Sequence, residues 1–188
     1  MPPDKVAQSK KINYFNGDWM GDCLILESYL DEMEFFTGSN RRKMCPTGES
    51  CLYGVDWKGF LKYDKDGNKV MRPRDPDSNY FFTKARMEYP EFYFIAKEFQ
   101  KLYFNKFEFK NIQLNRNYKI PKHIDSKNVG ESILLCLGDY TGGKTKVYYE
   151  NSEADLDAHY KLVQFDGSKY YHEVLPWEGN RLSLVFFN

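Results

Sequence analysis

His123-Ile124-Asp125 is answered 47 residues after Asp125 by His172, and nine residues later by Arg181-Leu182-Ser183. A His-x-Asp pair with a distant second histidine supplies two imidazole nitrogens and one carboxylate. That donor set holds Fe(II) by one face and leaves the other coordination positions open. Residues i and i+2 of a strand project to the same side, so a strand through 123–125 would present both side chains to one ion. Arg-x-Ser offers a guanidinium fork and a hydroxyl, which suit a carboxylate such as the far end of 2-oxoglutarate. Two of the three histidines in the chain fall in this set. A lone His-x-Asp is commonplace, and the weight lies in the joint pattern. Arg181 has a second reading as half of a structural ion pair, but an arginine entering the apolar run Leu182–Phe187 is costly to bury without an anion. His159 follows the acidic stretch Glu153–Ala158, expected as a loop, and reads as a surface residue, not a ligand.

These side chains need strands to carry them. From 107 onward the apolar period is that of strands, expected at 108–119, 131–138, 144–150, 161–165, 169–175 and 181–187, with Gly142-Gly143 and Asp166-Gly167 as turns. Before them, 90–104 is the best helix, with Pro90 in its first turn and Phe92, Ile95, Phe99 and Leu102 at helical spacing. Residues 19–36 mix a short strand with a helix, 38–50 read as loop, and Asp66-Gly67-Asn68 as a hairpin turn between 60–63 and 69–71. Residues 72–79 form an extended polar loop, and the polar stretch 1–12 is expected to fray. The fold class is α+β, with strand-rich closure of the jelly-roll or cupin kind.

At 188 residues, one domain is the simplest division. Lys+Arg and Asp+Glu balance at 27 each, so no global basic field marks the chain as a nucleic-acid binder and only local patches remain. Cys23, Cys45, Cys51 and Cys136 lack a CxxC or Cys/His grouping and read as free thiols, with a disulfide or zinc site at Cys45 and Cys51 as the alternative. The sequence shows no signal peptide and no membrane span, which predicts a soluble intracellular protein, taken as a monomer.

Leu114-Asn115-Arg116-Asn117-Tyr118, Pro121–Asp125, Ser132–Gly143, Phe165-Asp166-Gly167, His172-Glu173-Val174 and Arg181–Phe186 occur in an order that resembles the double-stranded β-helix core of the Fe(II)/2-oxoglutarate-dependent oxygenases. The stretch before His123 is similar to AlkB-like enzymes. The last strand is similar to the TET and J-base-type thymine and methylcytosine oxidisers. An AlkB-like last strand has a second arginine six positions after the first, where this chain has Phe187. The resemblance implies a catalytic core at 107–188 on a supporting and substrate-side region at 1–106. It implies Fe(II) on His123, Asp125 and His172, and 2-oxoglutarate held at Arg181 and Ser183 with help from Asn115 or Tyr118. It also implies O₂ as co-substrate and hydroxylation of a C–H bond.

A substrate side is expected over 56–86, where lysines and arginines outnumber Asp64, Asp66, Asp75 and Asp77 and alternate with aromatics. Arg72, Arg74, Tyr80, Lys84 and Arg86 are the named candidates. Phosphate contacts plus stacking would suit a DNA or RNA base, and a solvated hairpin with core aromatics is the plain alternative. Arg41-Arg42-Lys43 is a second basic cluster with the same ambiguity. Peptide or small-molecule hydroxylation, and an inactive binding module on the same fold, are the competing functions.

Overall fold

In the computed structural model, which describes residues 14–188, helix α1 (Trp19–Glu32) starts at Asp18, whose carboxylate accepts the Gly21 N–H. It buries Cys23, Leu26 and Leu30, spaced by three and four, so the stretch expected to mix strand and helix is helix alone. The stretch expected as loop holds a short helix α2 (Ser39–Met44) and the start of β1 (Glu49–Tyr53). Then come β2 (Val55–Asp56), the hairpin β3 (Phe60–Tyr63) and β4 (Lys69–Met71), and β5 (Phe81–Phe82). Helices α3 (Lys84–Glu88) and α4 (Glu91–Tyr103) follow. The expected face of α4 is buried at Phe92, Ile95 and Phe99, whereas Leu102 is exposed. Residues 1–12, expected to fray, lie outside the described residues.

The rest is strand: β6 (Asn111–Arg116), β7 (Ser132–Leu137), β8 (Tyr140–Gly142), β9 (Thr145–Tyr148), β10 (Glu153–Leu156), β11 (Val163–Phe165), β12 (Tyr171–Val174), β13 (Trp177–Gly179) and β14 (Leu182–Phe187). The six expected strands are all present, though shorter. The acidic stretch expected as loop is β10, an edge strand whose Glu153 and Asp155 both reach Lys146 on β9. Alternating charge on an edge is how a strand protects itself in water, and it erases the apolar signal.

Every strand pairing is antiparallel. The large sheet runs β1-β6-β14-β7-β11, and a smaller one runs β10-β9-β12. Alternation divides the large sheet into two faces. Leu182, Leu184 and Phe186 join Ile112, Leu114, Ile133, Leu135 and Leu137 against Leu26, Leu30, Phe92, Ile95 and Phe99 of the helices. Leu134 and Cys136 turn the other way, toward Val147 of the small sheet, Phe165 and Tyr140. β7 is therefore buried along its whole length, and Asn115, Ser183 and Arg181 can sit between two layers only where polar partners meet them.

Candidate metal centre

His123 lies in an extended segment that pairs with β12 at one point. His123 and His172 each donate their N–H to the other's carbonyl at 2.9 Å. The expected regular strand does not form. Pro121 has no N–H for the ladder, and the Asp125 N–H turns to Gly167 O at 2.9 Å. The projection is still convergent: the two imidazole centroids are 4.2 Å apart, and Asp125 faces both rings. Gly167 allows this approach, because a Cβ there would lie 3.1 Å from both Asp125 Oδ2 and His172 Cε1.

His123 Nε2 is 3.3 Å from Asp125 Oδ1, and His172 Nε2 is 3.5 Å from Asp125 Oδ2. One donor atom from each residue lies within 4.8 Å of the other two. The opposite ring nitrogens are occupied: Nδ1 of His123 lies 2.8 Å from Pro121 O, and Nδ1 of His172 lies 3.0 Å from Tyr170 O. A carbonyl only accepts, so each Nδ1 carries the proton and each Nε2 is turned to Asp125. Two lone pairs and a carboxylate then face one another, and only protons or a metal ion can lie between them. Two nitrogens and one oxygen fit Fe(II). Burial alone would raise the Asp125 carboxyl, but the hydrogen bonds and charge of the two histidines hold it well below the usual carboxylate range. Burial likewise opposes protonation of His123, and the bonds to Asp125 and Pro121 outweigh it, leaving its pKa raised.

Arg181 is 3% exposed. Its Nε donates to Gly143 O at 3.2 Å and its Nη2 to Cys136 Sγ at 3.1 Å. The rings of Tyr140 and Trp177 lie 5.7 and 5.8 Å from its Cζ. No carboxylate pairs with it among the described residues, so the ion-pair alternative is not realised. Gly143, at φ +65°, makes the close approach, since a Cβ there would lie 3.0 Å from Arg181 Cδ. A buried guanidinium with only neutral partners has the charge and the free donors to receive an anion.

Beside it runs a polar row. Ser50, Asn115, Ser183 and Cys136 stand opposite one another on β1, β6, β14 and β7. Ser50 Oγ donates to Asn115 Oδ1 at 2.6 Å, and Asn115 Nδ2 donates to Ser183 Oγ at 3.2 Å. Asn115 thus orients the Ser183 hydroxyl. Tyr118 is placed differently: its hydroxyl donates to Arg41 O at 3.0 Å and so fastens α2. Arg41 in turn reaches over β1, donating to Ser50 Oγ at 2.8 Å and Gln113 Oε1 at 3.1 Å, and its charge opposes protonation of His123. Arg41, Ser50 and Gln113 were not among the expected site residues. The basic cluster at 41–43 was visible, but nothing local distinguishes Arg41 from Arg42.

Of the expected substrate side, Lys84 lies over Phe36 at 3.9 Å and Arg86 over Tyr93 at 3.6 Å. Arg86 also borders Tyr53, which belongs to the helical face of the large sheet, so these two do not share the face that carries Asn115 and Ser183. Arg74 stacks on Phe81 at 5.0 Å, Tyr80 is exposed, and Arg72 is half-buried. His159 is not a surface residue. It is half-buried against Tyr140 and its Nε2 lies 2.8 Å from Gly138 O, although it stands outside the triad. Cys45 and Cys51 are buried free thiols.

No family model matches this chain, and no curated protein matches it. Solved structures do. One is NgTET1 in complex with 5mC DNA, 12% identical, covering 87% of this chain and 67% of that one at a TM-score of 0.51. The chain shares the fold of that structure. An oxidoreductase of the 2OG-Fe(II) oxygenase family from Burkholderia pseudomallei is 18% identical over 74% of this chain and 67% of that one, at a TM-score of 0.46. A Pseudomonas putida prolyl-4-hydroxylase is 17% identical over 95% of this chain and 90% of that one, at a TM-score of 0.44.

Proposed function

We propose that this chain is an Fe(II)- and 2-oxoglutarate-dependent dioxygenase on a double-stranded β-helix, and that it oxidises a C–H bond of a nucleic-acid base. The observation that carries this reading is the convergence of two Nε2 atoms and one carboxylate beside a buried arginine with no carboxylate partner. His123, Asp125 and His172 hold the metal, which supplies the coupling of O₂ reduction and 2-oxoglutarate decarboxylation to C–H oxidation. Residues 107–188 form the catalytic core, and 1–106 support it.

Each remaining residue has a simple task. Arg181 binds the far carboxylate of 2-oxoglutarate through the guanidinium edge left free by Gly143 and Cys136. Ser183 adds a hydroxyl, held by Asn115. Cys136 remains a neutral acceptor, because burial pushes its thiol pKa up more strongly than the Arg181 charge draws it down. Leu134, Val147 and Phe165 exclude water from the space between the sheets. Arg41, at the rim, is free to meet an anionic group on the substrate. A base attached to phosphates would supply that anion, and NgTET1, which shares the fold, is in complex with 5mC DNA.

The test is succinate formation by the Fe(II)-loaded protein with methylated DNA or RNA oligonucleotides, compared with proline- and lysine-containing peptides. Oligonucleotides should stimulate turnover. Stimulation by peptides alone would remove the nucleic-acid reading, and failure to bind Fe(II) or Mn(II) at neutral pH would remove the enzyme.

A further inference from the structure

A two-stranded hairpin is marginal in water unless another surface covers it. The β3–β4 hairpin nevertheless shows apolar groups to solvent: Phe60 is 44% exposed, Tyr63 59%, Met71 48%, and the preceding Trp57 63%. A bulge between Phe60 and Lys62 breaks the strand alternation. It brings Phe60 and Tyr63, three residues apart, onto one face with ring centroids 5.1 Å apart. Met71 stands opposite Phe60, and Lys69 opposite Tyr63. Two rings, a thioether and an ammonium therefore share one open face.

The charge around that face is one-sided. Lys58, Lys62, Lys65, Lys69, Arg72 and Arg74 stand against Asp64 and Asp66 over 57–74, in a chain whose net charge is zero. Asp64 is already engaged by the turn, accepting the N–H groups of Asp66 and Asn68 at 2.9 and 2.8 Å. At the base of the hairpin, Arg72 Nε is buried with no hydrogen-bond partner. The hairpin also leaves the large sheet at the triad's end. β1 ends at Tyr53, opposite Ile112, which lies opposite Phe186, itself opposite Ile133. Neighbouring Ser132 pairs with Phe165, whose ring lies 5.1 Å from that of His172. Arg181 lies at the other end, where its carbonyl accepts the Asn117 N–H.

We propose that this hairpin docks a single-stranded nucleic acid, with Phe60, Tyr63 and Trp57 as stacking platforms and Lys58 and Lys69 meeting phosphates. The inference deepens the nucleic-acid reading above and rests on it for the link to the metal centre. Unpaired bases offer free faces to aromatic rings, while a duplex keeps its faces stacked internally. An acidic peptide would satisfy the lysines and leave the rings uncovered.

The test is fluorescence anisotropy of a labelled oligonucleotide of about 12 nucleotides, single-stranded and as a duplex, with the full chain free of metal and 2-oxoglutarate. The single strand should bind more tightly than the duplex. Phe60→Ala and Tyr63→Ala should each weaken it by about fivefold or more. Lys58→Glu with Lys69→Glu should weaken it and flatten its salt dependence by about 0.7 for each phosphate no longer neutralised. Unchanged thermal midpoints would show that the variants are folded. Wild-type affinity in these variants, duplex binding as tight as single-strand binding, or binding to anionic vesicles in place of oligonucleotides would each overturn the assignment. Metal uptake and 2-oxoglutarate turnover without substrate are read on the same proteins. If they persist while the wild type binds no oligonucleotide, the hairpin assignment fails and the oxygenase stands. If they are absent while the hairpin binds, the reverse holds.

Discussion

Replacing Arg181 with methionine separates an anion site from a structural arginine, because the two roles predict opposite signs for stability. The guanidinium is 3% exposed and meets one carbonyl, one thiol and two ring faces. In the ligand-free protein it is a buried charge without a counter-ion, and effective penalties for such charges are several kcal/mol before the local hydrogen bonds offset part of them. Methionine has a similar reach, carries no charge and adapts to irregular space. Arg181→Met should therefore leave the ligand-free fold unchanged or more stable by about 1 kcal/mol, a rise of about 2–4 °C for a domain of this size. The same change removes a charge-assisted contact to 2-oxoglutarate worth about 2–4 kcal/mol, which is about 30- to 1,000-fold in affinity.

The two effects are read by thermal denaturation with and without 2-oxoglutarate, with Mn(II) loaded in place of Fe(II) to prevent turnover. At 100 times its dissociation constant the ligand should add about 2.7 kcal/mol to the wild type, a rise of about 5–11 °C. At the same concentration it should add about 0.9 kcal/mol or less to the variant. A ligand-free variant that melts more than about 5 °C below the wild type, with an undiminished rise on adding 2-oxoglutarate, would show that Arg181 is a structural residue and that the cosubstrate is anchored elsewhere.

Asp125→Asn keeps the shape of the triad but removes its only anion, so Mn(II) affinity measured by calorimetry should fall by at least about tenfold; unchanged affinity would mean the metal lies elsewhere. Arg41→Gln should leave the dissociation constant for 2-oxoglutarate within about twofold while raising the apparent KM for an oligonucleotide substrate by about tenfold or more. A loss confined to 2-oxoglutarate binding would move Arg41 to the cosubstrate side. Burial pushes the thiols of Cys23 and Cys51 up to about 12. The thiolate is the reactive form, so both should resist alkylation at about pH 8 in the folded protein and react once it is denatured. Rapid modification of Cys51 in the native state would contradict the position of β1 in the sheet.

The pieces legible in the sequence were those with a local signature. The hairpin turn at Gly67, the face of α4 and the six expected strands follow from periodicity and turn chemistry. The triad was legible from residue type and order, though the strand invoked to align His123 and Asp125 is a single bridge to His172. Several other features were hidden for physical reasons. β10 carries its charges on an edge, so its apolar period vanishes. Asn115 reads in sequence as a direct ligand contact, yet both ends of its amide are engaged by Ser50 and Ser183 from other strands. Lys84 and Arg86 belong to a basic run in sequence but lie over Phe36 and Tyr93 in space, where aromatic faces satisfy them. Arg41 could not be distinguished from Arg42 until β1 was paired with β6, because a site residue contributed from across a sheet edge has no local pattern.

The proposed substrate preference rests on the charges that would remain once the proposed centre is filled. Arg181 and Arg41 are two cations on neutral partners, and Asp125 is the carboxylate of the triad. A divalent ion adds two positive charges and the 2-oxoglutarate dianion removes two, so the loaded centre keeps one positive charge in excess. That excess would reside on Arg41, which is exposed, while Arg181 is buried where the dicarboxylate is proposed to bind. A phosphate flanking a target base would neutralise that charge. A proline side chain brings no such charge and a lysine brings the wrong sign, which is why the proposal takes a nucleotide over a peptide.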